Sequence, residues 1–257
     1  MTDARASVTV VIPARFGSSR FPGKPLVTLL GKPMIQHVYE RAKACRAVQD
    51  VLVATDDERI SRAVEDFGGQ VVMMTEPFRT GTDRVAGIAR RHPGRYFVDL
   101  QGDEILLNPD LITDLVVPFL ASGAEMGTLK RAIASREDLH NPAVVKVVTD
   151  RDGHALYFSR SPIPLVRDDP RRDMVAGLHW IHLGLYIYTR DTLLRLAALP
   201  TGLLEDAEKL EQLRALEHGI RIRVWPTTHA SLRIDTPEDV AGGEKTLRQL
   251  ELTRCAS

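Results

Sequence analysis

Val8-Thr-Val-Val-Ile12 runs directly into Pro13-Ala-Arg-Phe-Gly-Ser-Ser-Arg-Phe-Pro-Gly-Lys-Pro25. A short β-branched run bounded by proline and a glycine-containing loop reads as a buried strand. Outward from it, strand-like and helix-like segments alternate. Pro33 to Ala47 carries Met34, Ile35, Val38 and Ala42 at helical spacing, which predicts an amphipathic helix opened by proline. Val51-Leu-Val-Ala54 is a second strand, and Asp57 to Phe67 a second helix closed by Gly68-Gly69. Val71-Val-Met-Met74, Gly81 to Arg91 and Tyr96-Phe-Val-Asp-Leu100 add a strand, a helix and a strand. This alternation predicts βαβ units around a mostly parallel sheet, an α/β fold.

The pattern changes after about residue 123. Met126-Gly-Thr-Leu129, Val144-Val-Lys-Val-Val148, Ala155-Leu-Tyr-Phe158 and Leu183-Gly-Leu-Tyr-Ile-Tyr188 are closely spaced and strand-like, with a turn at Asp150-Arg-Asp-Gly153. They predict an added antiparallel β lobe. Leu203 to His218 reads as one amphipathic helix closed by Gly219. Ile220-Arg-Ile-Arg-Val-Trp225 alternates as a late strand, and Pro237 to Leu250 reads as a final helix with Thr236 as its cap. With no internal repeat or linker, the chain reads as a single domain.

Composition narrows the function. The 257 residues hold 34 Lys+Arg and 34 Asp+Glu, so no broad basic surface for nucleic acid is expected. No run approaches the roughly 20 apolar residues that span a bilayer, and Met1 to Thr9 does not read as a signal peptide. A cytoplasmic protein with no membrane partner is the expectation. Cys45 and Cys255 are isolated and form neither a disulfide framework nor a metal knuckle.

In open parallel sheets, ligands bind beyond the carboxyl ends of the strands. The loop after the first strand supplies glycines, hydroxyls, Arg15, Arg20 and Lys24, groups suited to phosphate oxygens; its bland reading is a solvated basic loop. It is not a P-loop, because Gly17 and Gly23 are one residue too far apart and Lys24 precedes proline. After the fourth strand, Asp103 and Glu104 are placed to bind Mg²⁺ on a triphosphate, or to make a turn. Asp235, in Ile234-Asp-Thr-Pro-Glu-Asp239, is either a third such carboxylate or a helix cap. His179 and His182 read as packed strand histidines. No H-E-x-x-H, G-x-S-x-G or Cys/His metal spacing occurs.

Val11-Ile-Pro-Ala-Arg-Phe-Gly-Ser-Ser-Arg-Phe-Pro-Gly-Lys-Pro-Leu26 resembles the N-terminal signature of the CMP-Kdo synthetases (3-deoxy-manno-octulosonate cytidylyltransferases). Gly31-Lys-Pro-Met-Ile35, Gly81-Thr-Asp-Arg84, Gln101-Gly-Asp-Glu104, Val145-Lys-Val-Val148, Leu156-Tyr-Phe-Ser-Arg160, His182-Leu-Gly184, Leu210-Glu-Gln-Leu-Arg214 and Ile234-Asp-Thr-Pro-Glu-Asp239 follow in the family order, over nearly the whole chain. The resemblance implies a Rossmann-like nucleotide-diphospho-sugar transferase fold. It implies a Mg²⁺-dependent reaction in which CTP and an acidic acceptor give a CMP conjugate and pyrophosphate. By position it puts Arg15, Ser19, Arg20 and Lys24 on the CTP phosphates and Asp103 and Asp235 on Mg²⁺. Ala14, Thr80 and Arg84 fall near the base and ribose. Gln101, Arg160, His182, Tyr186, Glu211 and Gln212 fall at the sugar acid.

The CTP-binding half is then expected over about 1–123, an acceptor and dimerisation lobe over about 124–200, and closing helices with the metal aspartate over about 201–257. A homodimer is implied. Three departures from the family pattern lie near the expected acceptor side: Ile105 in place of proline, Arg79 in place of a small residue or proline, and Ser231-Leu-Arg233 in place of a smaller, glycine-containing stretch. They leave a small phosphonate, such as phosphonoformate, as the alternative acceptor, and a non-catalytic CTP-binding regulator as the third reading.

Overall fold

The computed structural model describes residues 7–17, 21–106, 108–167 and 174–255. Two compact units emerge, residues 1–113 with 229–257, and residues 114–228.

The first unit is built on β1 (Val8–Ala14), buried along its whole length. The strand runs two residues past Ile12, through Pro13. A proline is tolerated there because residues 11 and 13 aim their backbone groups at the same neighbour, and that ladder ends at Val11. A two-residue hairpin, β2 (Thr28–Leu29) and β3 (Lys32–Pro33), leads into α1 (Met34–Lys43), which stops four residues short of Ala47. Then come β4 (Asp50–Thr55), α2 (Glu58–Asp66), β5 (Val71–Met73), α3 (Gly81–Arg91) and β6 (Tyr96–Asp99). Asp57 and Thr80 cap α2 and α3, each side chain accepting a backbone N–H of its helix. The strand order is β6-β1-β4-β5, all parallel, as the βαβ alternation predicts. A short strand missed in the sequence, β7 (Glu104–Leu106), follows the turn after β6.

Helix α4 (Asp110–Ser122), also missed, contains the division between the units. The second unit continues with β8 (Met126–Ala132), α5 (Arg136–His140), β9 (Lys146–Thr149), β10 (Ala155–Ser159), β11 (Trp180–Thr189) and α6 (Arg190–Ala198). Strand β9 is antiparallel to both β10 and β11, and β8 is antiparallel to β11.

The single helix expected over Leu203 to His218 is instead two, α7 (Leu203–Glu208) and α8 (Gln212–Glu217), parted at Lys209 with φ +51°. Helical periodicity survives the break, so the pattern conceals it. The break lets the two pieces bond each other. Arg214, fully buried, lays its guanidinium on the Glu205 carboxylate at 2.8 and 2.5 Å. Glu217 reaches back to the N–H groups of Leu204 and Glu205, which the first turn of α7 leaves open. The late strand β12 (Arg223–Pro226) pairs parallel with β8.

The chain then re-enters the first unit with β13 (Ser231–Arg233), antiparallel to β7, and α9 (Asp239–Cys255). Helix α9 starts at Asp239, two residues after Pro237. The Asp239 carboxylate accepts from the N–H groups of Asp235 and Thr236 at 2.8 Å each, fixing the turn before the helix.

The Glu205–Arg214 pair generates a stability prediction. Glu205→Ala strands a buried guanidinium and should cost about 3–5 kcal/mol. Glu205→Leu combined with Arg214→Met should recover most of that loss. Urea unfolding of the three proteins checks it.

Candidate active site

The carboxyl edge of the first unit's sheet is set by a close approach. A Cβ on Gly102 would come 3.0 Å from the Pro13 carbonyl oxygen, so glycine lets the turn after β6 lie this close to the end of β1 without pushing the backbone aside. The loop after β1 returns to the same edge. Gly23, at φ +72°, donates its N–H to the Phe16 carbonyl at 2.9 Å and starts a 3-10 turn over Lys24–Leu26. The Arg59 guanidinium covers the Phe16 ring from 3.3 Å.

Lys24 is thereby buried with its Nζ 2.5 Å from Asp103 Oδ2 and 3.2 Å from Asp235 Oδ1. Asp235 reaches this point because β13 pairs with β7, and because Ile234 donates its N–H to the Asp103 carbonyl at 3.3 Å. Arg233 Nε sits 3.0 Å from Asp235 Oδ2. Asp235 is therefore not simply a helix cap, nor Asp103 simply a turn residue: both carboxylates converge on one ammonium. Glu104, between them in sequence terms and buried, accepts from Ser231 Oγ at 2.6 Å. Burial pushes its carboxyl above the usual range, the charges of Asp103 and Asp235 add to that, and the Ser231 bond and Arg233 oppose it.

The donor set suits a hard dication. Two carboxylates brought within reach of one atom offer oxygen ligands, and among the described residues no group of three or more His, Cys, Asp or Glu could hold a metal. Such a pair fits Mg²⁺, which takes one or two carboxylates and fills its shell with water and phosphate oxygens.

Beside this cluster, Pro13, Ala14, Arg15, Phe78, Thr80, Gly81, Arg84 and Gln101 line a pocket of about 110 Å³. Four of the residues placed at base, ribose or phosphate are together here, and Gln101, expected at the acceptor, is with them. Arg84 is buried, donates to Asp56 Oδ2 at 2.7 Å and lies 5.3 Å from the Phe78 ring centroid. The Thr80 hydroxyl is occupied as the α3 cap. Asp99, which the sequence reading passed over, takes Gln101 Nε2 at 2.7 Å and Thr82 Oγ1 at 3.0 Å, and so sets the direction of Gln101. Its only sequence signal was its place at the end of a strand. Ser19 and Arg20 lie outside the described residues.

The remaining expected acceptor residues belong to the second unit. Arg160 is held on one side: Nε, Nη1 and Nη2 donate to the carbonyls of Glu208, Pro142 and Lys209 at 2.7, 2.9 and 3.3 Å, which leaves a second N–H on each Nη. Its guanidinium ties the end of β10 to the α7–α8 corner, where Glu211 and the buried Gln212 lie. Lys146, fully buried, does the same work with the carbonyls of Asn141, Val144 and Arg160. His182 is buried on β11, edge-on to Phe158 and 5.3 Å from the Tyr186 ring. Its Nε2 is 3.1 Å from Thr128 Oγ1, whose hydroxyl also lies 3.0 and 2.8 Å from the carbonyls of Leu183 and Leu185. A hydroxyl that donates to a carbonyl accepts from Nε2–H.

Burial pushes the His182 pKa down to about 3. Between the ordinary value near 6.5 and about 3, the unfolded chain binds a proton that the folded chain refuses, so stability falls as pH drops through that window. The stability of the protein relative to its His182→Gln variant should be level above pH 7 and decline below 6.5. Urea unfolding at a series of pH values checks this; parallel profiles would mean that the histidine titrates normally.

An open parallel sheet with a cationic loop after its first strand, and two carboxylates facing that loop across the sheet's carboxyl edge, defines a nucleotidyltransferase. Residues 9–222 match the cytidylyltransferase family. A 3-deoxy-manno-octulosonate cytidylyltransferase of Geobacter sulfurreducens is 50% identical over 95% of this chain and 100% of its own. An 8-amino-3,8-dideoxy-manno-octulosonate cytidylyltransferase of a Shewanella species is 47% identical over 94% of this chain and 98% of its own. The solved structure of a CMP:2-keto-3-deoxy-manno-octonic acid synthetase complexed with CTP superposes with a TM-score of 0.88 at 40% identity, over 95% of this chain and 99% of that one. A Leptospira borgpetersenii cytidylyltransferase shares the fold at 18% identity, with a TM-score of 0.59 over 91% of this chain and 83% of that one. The chain belongs to the cytidylyltransferase family and, within it, to the CMP-Kdo synthetases.

Proposed function

We propose that this protein transfers CMP from CTP to 3-deoxy-manno-octulosonate and releases pyrophosphate. The observation that carries the chemistry is the convergence of Lys24, Asp103 and Asp235 on one point of the sheet edge from three remote parts of the chain. The acceptor hydroxyl oxygen bonds to the α-phosphorus as the bridge to the β-phosphate breaks. Negative charge grows on the phosphoryl oxygens and on the departing pyrophosphate. Lys24 is buried and carries a cation to that edge, where water is excluded and a charge-assisted contact is strong. Arg15, exposed at the end of β1, adds a second cation on the pocket side. Asp103 and Asp235 would hold Mg²⁺, which when bound neutralises phosphate charge and acidifies a coordinated oxygen. Asp99 orients Gln101, and Thr80 and Arg84 frame the pocket assigned to base and ribose.

The second unit contributes scaffolding at the positions assigned to the sugar acid. Arg160 and Lys146 hold backbone carbonyls there, and His182 offers an uncharged, buried imidazole. The Shewanella relative supports a second acceptor, the 8-amino derivative. No helix among the described residues is long and apolar enough to cross a membrane, which accords with work on polar substrates in solution. The homodimer remains part of this proposal.

Asp103→Asn and Asp235→Asn should each lower CTP-dependent pyrophosphate release by about 10²-fold or more with the fold intact by circular dichroism. Wild-type turnover in either variant at limiting Mg²⁺ would remove that carboxylate from the site. The same assay with 3-deoxy-manno-octulosonate, its 8-amino derivative and phosphonoformate assigns the acceptor. The expected preference for the first is about a hundredfold in kcat/KM, or about 2.7 kcal/mol of transition-state discrimination.

A further inference from the structure

Lys24 occupies the place that a dication would need. Its Nζ bridges Asp103 Oδ2 at 2.5 Å and Asp235 Oδ1 at 3.2 Å, while Arg233 covers Asp235 Oδ2 at 3.0 Å. Two cations of the chain thus balance the two carboxylates. A dication held by these two carboxylates would need the same oxygens that the ammonium now holds. The two cannot be there together.

We infer that Lys24 is a built-in competitor for the metal: in the free protein it closes the carboxylate pair, and the triphosphate opens the pair by drawing the ammonium onto its own oxygens. This rests on the assignment of Asp103 and Asp235 as metal ligands. The competitor is strong because it is tethered, so its effective concentration at the carboxylates far exceeds that of any free cation. It is displaceable because only the charged end of the side chain has to move, and not the backbone. Gly23 at φ +72° and Pro25 pin the 3-10 turn, and four rotatable methylenes separate Cα from the charge. A triphosphate carries more negative charge than the carboxylates retain once Arg233 has covered Asp235. The ammonium then gains by moving, and the vacated carboxylates accept the metal that the nucleotide brings. Metal and nucleotide therefore enter together, and the free protein does not fill its metal site at metal concentrations that saturate the nucleotide complex.

The test is a Mn²⁺ titration followed by the electron paramagnetic resonance of free Mn²⁺, on whole protein without nucleotide. The wild type should bind Mn²⁺ weakly. Lys24→Met keeps the stem and removes the charge, and should bind at least tenfold more tightly; Lys24→Arg should stay weak. Adding Asp103→Asn to Lys24→Met should abolish the gain. If Lys24→Met does not fold, Lys24→Gln keeps a donor to Asp103 and serves in its place. Equal Mn²⁺ affinity in wild type and Lys24→Met, with Asp103→Asn weakening both, would overturn the competition while leaving the metal site standing. No Mn²⁺ bound by any form, with or without the non-hydrolysable α,β-methylene analogue of CTP, would overturn the metal site itself and the competition with it.

Discussion

A single ammonium group ties together segments 79 and 211 residues apart in sequence. Two carboxylates forced side by side at a partly buried sheet edge repel each other unless a cation lies between them. Lys24 is that cation. Its position depends on the loop after β1 folding back through the Gly23–Phe16 bond. The position of Asp103 depends on a glycine next to Pro13. The position of Asp235 depends on β13 finding β7. Each local device makes sense only as part of the closing of this one cluster.

The two units spend their cations differently. In the first, Lys24 and Arg84 meet carboxylates at the rim of a pocket or of the sheet edge. In the second, Lys146 and Arg160 are consumed by backbone carbonyls, and Arg214 by Glu205. An irregular stretch of chain leaves carbonyls without ladder partners, and a long multi-donor side chain satisfies several at once. A motif residue such as Arg160 thus also does structural work, tying the end of β10 to the α7–α8 corner.

The departures from the family pattern have local accounts. Ile105 is fully buried in β7 opposite Leu232, Arg79 pairs with Asp83 one turn along α3 at 3.0 Å, and Arg233 pairs with Asp235. All three lie in the first unit, and two of them adjoin the Asp103–Asp235 cluster in sequence.

The order of strands and helices in the first unit was legible because a 3.6-residue or two-residue apolar period is a local property, and α3 fell on its expected bounds. The candidate phosphate and metal residues were legible because charge and glycine are scarce in β1-type strands and conspicuous just after them. Pattern alone could not show the break at Lys209, since the apolar spacing continues through it and only the Glu205–Arg214 and Glu217 bonds demand the fold-back. Nor could it show β7 and β13, each three residues long and stable only as partners. Asp99 carried only its place at the end of a strand and Lys146 only its place in a motif, because their roles consist of bonds to groups brought near by the fold. What the amino-acid order determined by itself was which segments fold and where charge accumulates. Which charges face one another, and which are already spent on the chain's own carbonyls, was decided by tertiary contacts, because electrostatic and hydrogen-bond energies depend on distances in space that sequence separation does not encode.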